Sequence, residues 1–227
     1  MIKHISLDFW NTLMVSNKIF SKLRLDFLKK EFFQNISIEE LSIQIETIGD
    51  ESDTINMKEG ISIPSEVMYQ RLFSKFGLEI TTTQAEKIYN DLEVLFLDNP
   101  PISIYDLDEL KRSLKALRNN GYTTNISSNT AFIKGRTLKK IFNDYDLLDY
   151  FDFLIFSDEI NSSKPSSKFF KELERECKNL NVSKNSILHI GDSFEADVKG
   201  AEAFKIKSKL INIDDKKLIQ LLIGLEN

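Results

Sequence analysis

The feature that most constrains this chain is a strict alternation of helical and strand patterns through its second half. A helical pattern over residues 106–119 stops at Gly121, and a β-branched run follows at 122–127. Helix 132–142, strand 151–156, helix 166–178, strand 187–190, helix 194–204 and strand 209–213 continue the series. One helix between each pair of strands is the signature of parallel pairing, because parallel neighbours need a crossover and antiparallel ones do not.

Residues 2–7 read as a first strand that ends in the polar loop from Asp8 to Thr12. Everything from 16 to 98 then reads as about four consecutive helices. In the first of them Ile19, Leu23, Phe27 and Leu28 share one face. Ser37 with Glu40, and Thr81 with Gln84, match capping boxes, and Pro64 suits a first helical turn. The polar stretch 49–60, with Asp50, Glu51, Asp53 and Glu59, reads as the loop between two helix pairs, and Asn99-Pro100-Pro101 marks a linker. The expected fold is therefore α/β: a Rossmann-like parallel sheet flanked by helices (residues 1–14 and 100–227), with an α-helical insertion after the first strand (residues 15–99).

Length and composition narrow the rest. At 227 residues, 41% hydrophobic and 29% charged, the chain suits one large domain plus an insertion. A net charge of −5, with lysines interleaved among acids, offers no basic face for nucleic acid. No stretch approaches the roughly 20 apolar residues of a membrane span, and the N-terminal residues MIKHISLDFW lack a signal-like apolar region, so a cytoplasmic monomer or homodimer is expected. The single cysteine, Cys177, shares a helical face with Phe169, Phe170 and Leu173 and reads as a packing residue. His4 and His189 sit in strand patterns and read as packed, hydrogen-bonded histidines outside any site.

Polar groups cluster where a parallel sheet binds ligands, at the carboxyl ends of its strands. Asp8 follows the first strand, Ser128-Asn129 the second, Gly191-Asp192 the fourth, and Lys164 lies in the loop after the third. Singly, each is an ordinary turn or capping residue. Together they place two carboxylates, a hydroxyl and an ammonium around one crevice.

Asp8-Phe9-Trp10-Asn11-Thr12-Leu13, Ile126-Ser127-Ser128-Asn129, Lys164-Pro165 and the run from Gly191-Asp192-Ser193 through Asp197 to Ala201 resemble, in order, the four motifs of the haloacid dehalogenase-like superfamily. The helical insertion falls where that family places its C1-type cap. The resemblance implies a hydrolase acting on a small phosphorylated molecule. Asp8 would be the nucleophile, Ser128 and the backbone amides near Asn129 would bind the phosphoryl group, Lys164 would bind it too and neutralise charge, and Trp10 would also contact the substrate. Asp8, Asp192 and the Trp10 backbone carbonyl would be oxygen ligands for Mg²⁺, with Asp197 supporting its water shell; for Asp197 a charge on the first turns of a helix is the competing reading.

One position departs from the family's phosphatases. Two residues after the nucleophile they carry a second Asp that moves protons; here it is Trp10, whose indole cannot. Three expectations follow. A phosphohydrolase would act on esters whose leaving group needs little protonation, or borrow an acid from the insertion, with Asp50, Glu51, Asp53 and Glu59 as candidates. A 2-haloacid dehalogenase-like hydrolase would need neither metal nor that acid, but lacks the carboxylate that Asp192 supplies. A non-catalytic phosphate-ligand sensor or scaffold would keep the pocket alone.

Overall fold

The computed structural model describes residues 1–212 and 218–224. Strand β1 (His4–Leu7) is buried along its whole length and lies at the centre of the main sheet. A two-residue strand, β2 (Met14–Val15), follows the Asp8–Thr12 loop. Helices α1 (Lys18–Glu31), α2 (Ile38–Glu59), α3 (Ser65–Lys75) and α4 (Thr82–Asp98) come next, and β3 (Ile102–Ser103) then pairs antiparallel with β2. The alternating half supplies α5 (Leu107–Asn119), β4 (Thr123–Ser128), α6 (Gly135–Asp144), β5 (Phe153–Phe156), the short α7 (Ser157–Ile160), α8 (Ser167–Asn179) and β6 (Ile187–Gly191). A π-helical turn (Phe194–Lys199), α9 (Gly200–Ala203), β7 (Lys207–Leu210) and α10 (Leu218–Gly224) complete it.

The main sheet has the order β5-β4-β1-β6-β7, and every pairing in it is parallel. From β1 the chain builds outward through β4 and β5 and then crosses to β6 and β7. The order therefore reverses beside β1, which is where open parallel sheets leave a crevice. One face of the sheet packs Ile5, Leu7 and Ile126 against α5, α6 and α10; the other packs Ile155 and Ile187 against Phe169, Phe170 and Cys177 of α8. The helices α1–α4 hold a core of their own, with Leu41, Tyr69, Leu72 and Tyr89 at its centre. Tyr89 bonds the Thr137 hydroxyl and Glu66 pairs with Lys134, which ties this block to α6 and the turn before it.

Four expectations are corrected. The stretch 49–60 is not a loop: α2 continues through it to Glu59, because Leu41, Ile45, Ile48, Ser52 and Asn56 keep a 3–4-residue buried stripe after the apolar letters run out. Gly60 ends the helix with φ +67°, the left-handed geometry that a C-terminal glycine accepts. The buried face of α1 is Phe20 and Leu28, and Ile19 is 60% exposed. Pro64 is the residue before α3, not within its first turn. The capping box of Thr81 and Gln84 forms fully, and Ser37 accepts from the Glu40 N–H. The last strand lies at β7, two residues earlier than expected, and Ile213 falls outside the described residues. Among the described residues no helix is long and apolar enough to cross a membrane.

Candidate active site

Strand register sets the site. Leu7 stands opposite Ile126 of β4 and Ile190 of β6, so Asp8, one residue on, emerges level with the ends of both neighbours. The Asp8 N–H donates to the Ile190 carbonyl, which extends the ladder by one bond before the chain turns away. Asn11 makes that turn with φ 55°.

Asp197 comes from the π-helical turn, and π geometry inserts an extra residue per turn that redirects a side chain. Its carboxylate folds back over Gly191, where a Cβ would stand 2.2 Å from Asp197 Cγ. Only glycine permits that approach. The Ser193 N–H donates to Asp197 Oδ2 at 2.9 Å, and His189 Nε2 lies 3.0 Å from Oδ1. Asp197 is 1% exposed, so it is not a solvated charge on a helix surface.

Lys164 is 1% exposed and donates to Asp8 Oδ1 at 2.7 Å, Asp197 Oδ1 at 2.6 Å and the Ser127 carbonyl at 2.7 Å. An ammonium has three protons, so all its donors are committed. Its backbone is held as well: the Asn129 amide donates to the Lys164 carbonyl and its Oδ1 accepts from the Lys164 N–H. Asp8 Oδ2 has only a 3.4 Å bond from Thr12.

Asp8, Asp192 and Asp197 offer oxygens within 4.8 Å of one another. Three carboxylates against one ammonium leave a formal excess of two negative charges in a buried space. The electrostatics follow from that imbalance. Burial, with Asp197 and Asp192 adding to it, pushes Asp8 up from 3.8 to about 7 against the opposing pull of Lys164. Burial also raises Asp192. Asp197 is held well below the usual carboxylate range, since Lys164 and His189 outweigh the burial that opposes them. Lys164 is raised because its two acids outweigh its burial. A hard divalent cation fits this donor set: oxygen ligands only, and a charge equal to the excess.

A crevice of about 320 Å³ opens over these groups, lined by Asp8, Trp10, Asn129, Lys164, Asp192 and Asp197 among others. Of the residues expected from sequence, Ser128 alone does not line it; it is fully buried at the end of β4, with its hydroxyl donating to the Asn129 carbonyl. Thr130 and Ala131 line it without being among the expected residues, although they directly follow Ser128-Asn129. His189, expected outside the site, contacts Asp197 from beneath. Burial disfavours its charged form, against the opposing pull of Asp197. The signal for it is register: His189 is paired with Ser6, and its Nδ1 bonds the Ser6 hydroxyl. His4 is packed as expected, between Thr123 and Asn125.

From the helical block, α2 brings Asp53 and Met57, one helical turn apart, to the same crevice. Of the four acids considered in 49–60, Asp53 alone lines it. Burial, reinforced by Asp50, raises its pKa, although much of its surface stays open to solvent.

A parallel α/β sheet with acid and lysine side chains converging at its strand ends is the framework of a hydrolase superfamily, and the family model for haloacid dehalogenase-like hydrolases matches residues 2–205. The chain belongs to that family. It is 28% identical over 131 residues to haloacid dehalogenase-like hydrolase domain-containing protein 3 of Mus musculus, covering 57% of this chain and 47% of the relative. It thus spans about half the length of that relative. The HAD-hydrolase YfnB of Bacillus subtilis, solved bound to magnesium, superposes with a TM-score of 0.73 at 20% identity, covering 100% of this chain and 99% of that one. A HAD phosphatase from Thermococcus onnurineus follows at TM-score 0.64 and 22% identity, covering 93% and 86%. A 2-haloacid dehalogenase from Pseudomonas syringae follows at 0.63 and 17%, covering 99% and 100%. At these identities the likeness is one of fold, which phosphatase and dehalogenase share.

Proposed function

We propose that the protein is a Mg²⁺-dependent phosphohydrolase of small phosphorylated metabolites, with Asp8 as nucleophile and residues 15–99 as a cap over the crevice. The observation that carries this reading is the cluster of Asp8, Asp192 and Asp197 around a single Lys164, which leaves two negative charges to be balanced. A metal-free dehalogenase gains nothing from the further, half-buried carboxylate of Asp192 beside its nucleophile, since like charges at that range destabilise one another.

Asp8, Asp192 and the Trp10 backbone carbonyl would hold the Mg²⁺, with Asp197 supporting its water shell; bound there, the ion would neutralise the excess charge and polarise a phosphoryl oxygen. Lys164 fixes Asp8 through Oδ1, which leaves Oδ2 the less encumbered oxygen. The ionised carboxylate attacks phosphorus, the ester oxygen departs, and water then hydrolyses the aspartyl phosphate. Backbone N–H groups after Ser128 bind the phosphoryl oxygens, Ser128 supports that loop from beneath, and Asn129 positions Lys164. Lys164 contributes charge rather than a free donor.

Trp10 cannot protonate the leaving group, and Asp53 takes that role in this reading. It faces the crevice from α2, and its raised pKa suits an acid that gives up a proton and later receives one from water.

The test is hydrolysis of phosphorylated metabolites and p-nitrophenyl phosphate, with and without Mg²⁺, beside Asp8→Asn. Mg²⁺-dependent phosphate release that Asp8→Asn abolishes is expected. Metal-independent halide release from 2-haloacids would replace the reading with a dehalogenase, and tight phosphate-ester binding without turnover would replace it with a sensor.

A further inference from the structure

A second cavity, of about 240 Å³, adjoins the crevice and shares Trp10 and Ala131 with it as a common wall. It lies between α1, α4 and the turn after β4, and it is largely apolar, with Phe20, Phe96, Phe132 and Ile133 in its lining. One charged side chain reaches it, Arg24 of α1.

Arg24 is unusual among the described residues. Its Nε is buried without a hydrogen-bond partner, and its guanidinium has no carboxylate at ion-pair distance; Glu46 and Tyr69 act on it only through space. Its contacts are the rings of Phe20 and Phe132, with centroids 5.7 and 5.4 Å from Cζ. Ring contacts replace part of the lost hydration, but they give the Nε–H no acceptor. Arg24 as a whole is half-buried, and its Nε is the part shut off from water without an acceptor, a cost that a ligand oxygen would relieve.

We infer that this cavity is an anion subsite of the crevice, in which Arg24 takes a carboxylate at the far end of the substrate. The cavity adjoins the crevice at Trp10 and Ala131, so a molecule held in it can place its other end over Asp8. Two considerations select the carboxylate. A single cation balances a monoanion and would leave a phosphate dianion half compensated. The planar guanidinium fork also matches the two oxygens of a carboxylate. The apolar lining calls for an apolar, preferably aromatic, segment between the two ends. Resting on the phosphohydrolase reading for its other end, the substrate class is a phosphate monoester joined through an apolar spacer to a carboxylate.

Trp10 is the only tryptophan of the chain and borders both cavities, so its fluorescence reports occupancy. The full chain, without phosphate or metal, is titrated with 3-phenylpropanoate and with its amide. The carboxylate should bind roughly tenfold tighter or more, the gain of a charge-assisted pair. Arg24→Met should remove the preference and Arg24→Lys should keep part of it. Equal binding of acid and amide by the wild type overturns the proposal whether or not a variant folds. A preference that survives in folded Arg24→Met overturns it too, since the acid would then be held elsewhere. Hydrolysis of phenyl phosphate is followed separately. Turnover without carboxylate preference ends the subsite and leaves the phosphatase; carboxylate preference without turnover does the reverse.

Discussion

The sheet side and the helical side of the crevice handle charge in opposite ways. Under the sheet, Lys164, Asp8 and Asp197 are buried, and every proton of the ammonium has an acceptor. Across the crevice, Asp53 stands open to solvent on α2, and Arg24 of α1 has neither a hydrogen bond at its Nε nor an ion pair. The buried side is preorganised: its geometry exists before any ligand arrives, so nothing need be reordered during reaction. The helical side holds unused bonding capacity, which is what a surface that selects ligands requires.

The contrast can be broken first at its strongest point. Asp8→Asn removes the carboxylate proposed as nucleophile, and phosphate-ester turnover should fall by at least about 10⁴-fold in kcat, measured by phosphate release with Mg²⁺. The same variant tests the charge imbalance through stability. A carboxyl whose folded pKa is raised from 3.8 to about 7 contributes stability that is fully present below pH 3.8 and is lost as pH rises through 7. In metal-free buffer the melting temperature of Asp8→Asn should therefore gain on the wild type between pH 4 and 7. A flat difference curve would mean that Lys164 already balances the cluster.

Asp53→Asn probes the open side. Its kcat should fall by about 10²–10³-fold for an alkyl phosphate and far less for p-nitrophenyl phosphate, whose leaving group needs little protonation. Equal losses on both substrates would remove Asp53 from proton transfer. Trp10→Asp should then restore activity in the Asp53→Asn background.

Gly191→Ala should cost about 1–3 kcal/mol in urea denaturation, as overpacking does, because the new Cβ meets the Asp197 carboxyl. Activity should fall with it as Asp197 is displaced. The smallest effect is expected at Cys177, fully buried with its thiol pushed up to about 12 by burial. It should resist thiol reagents until the chain unfolds.

Much of the sheet side is legible in the sequence because it is local. A strand's polar terminus is one stretch of chain, and parallel pairing brings the termini of β1, β4 and β6 to one edge. The alternating pattern alone therefore groups Asp8, Asn129, Lys164 and Asp192 around one crevice. The helical side is not legible in the same way. The acids of 49–60 suggest a loop by composition, while Ser52 and Asn56 carry the buried stripe of α2 onward as small polar residues. Whether Asp50, Glu51, Asp53 or Glu59 meets the crevice depends on helical phase and on how α2 lies across the sheet.

The sequence by itself determined the class of fold, the order of the strands along the chain and the identity of the groups around Asp8, since each depends on short-range pattern. Tertiary structure alone decided which partners those groups have. It spent all three protons of Lys164, buried Asp197 against Gly191 and brought His189 beneath it. It also chose Asp53 over its neighbouring acids and left Arg24 without an anion. Pairing and burial of charge arise between segments distant in sequence, and no local pattern encodes how closely they approach.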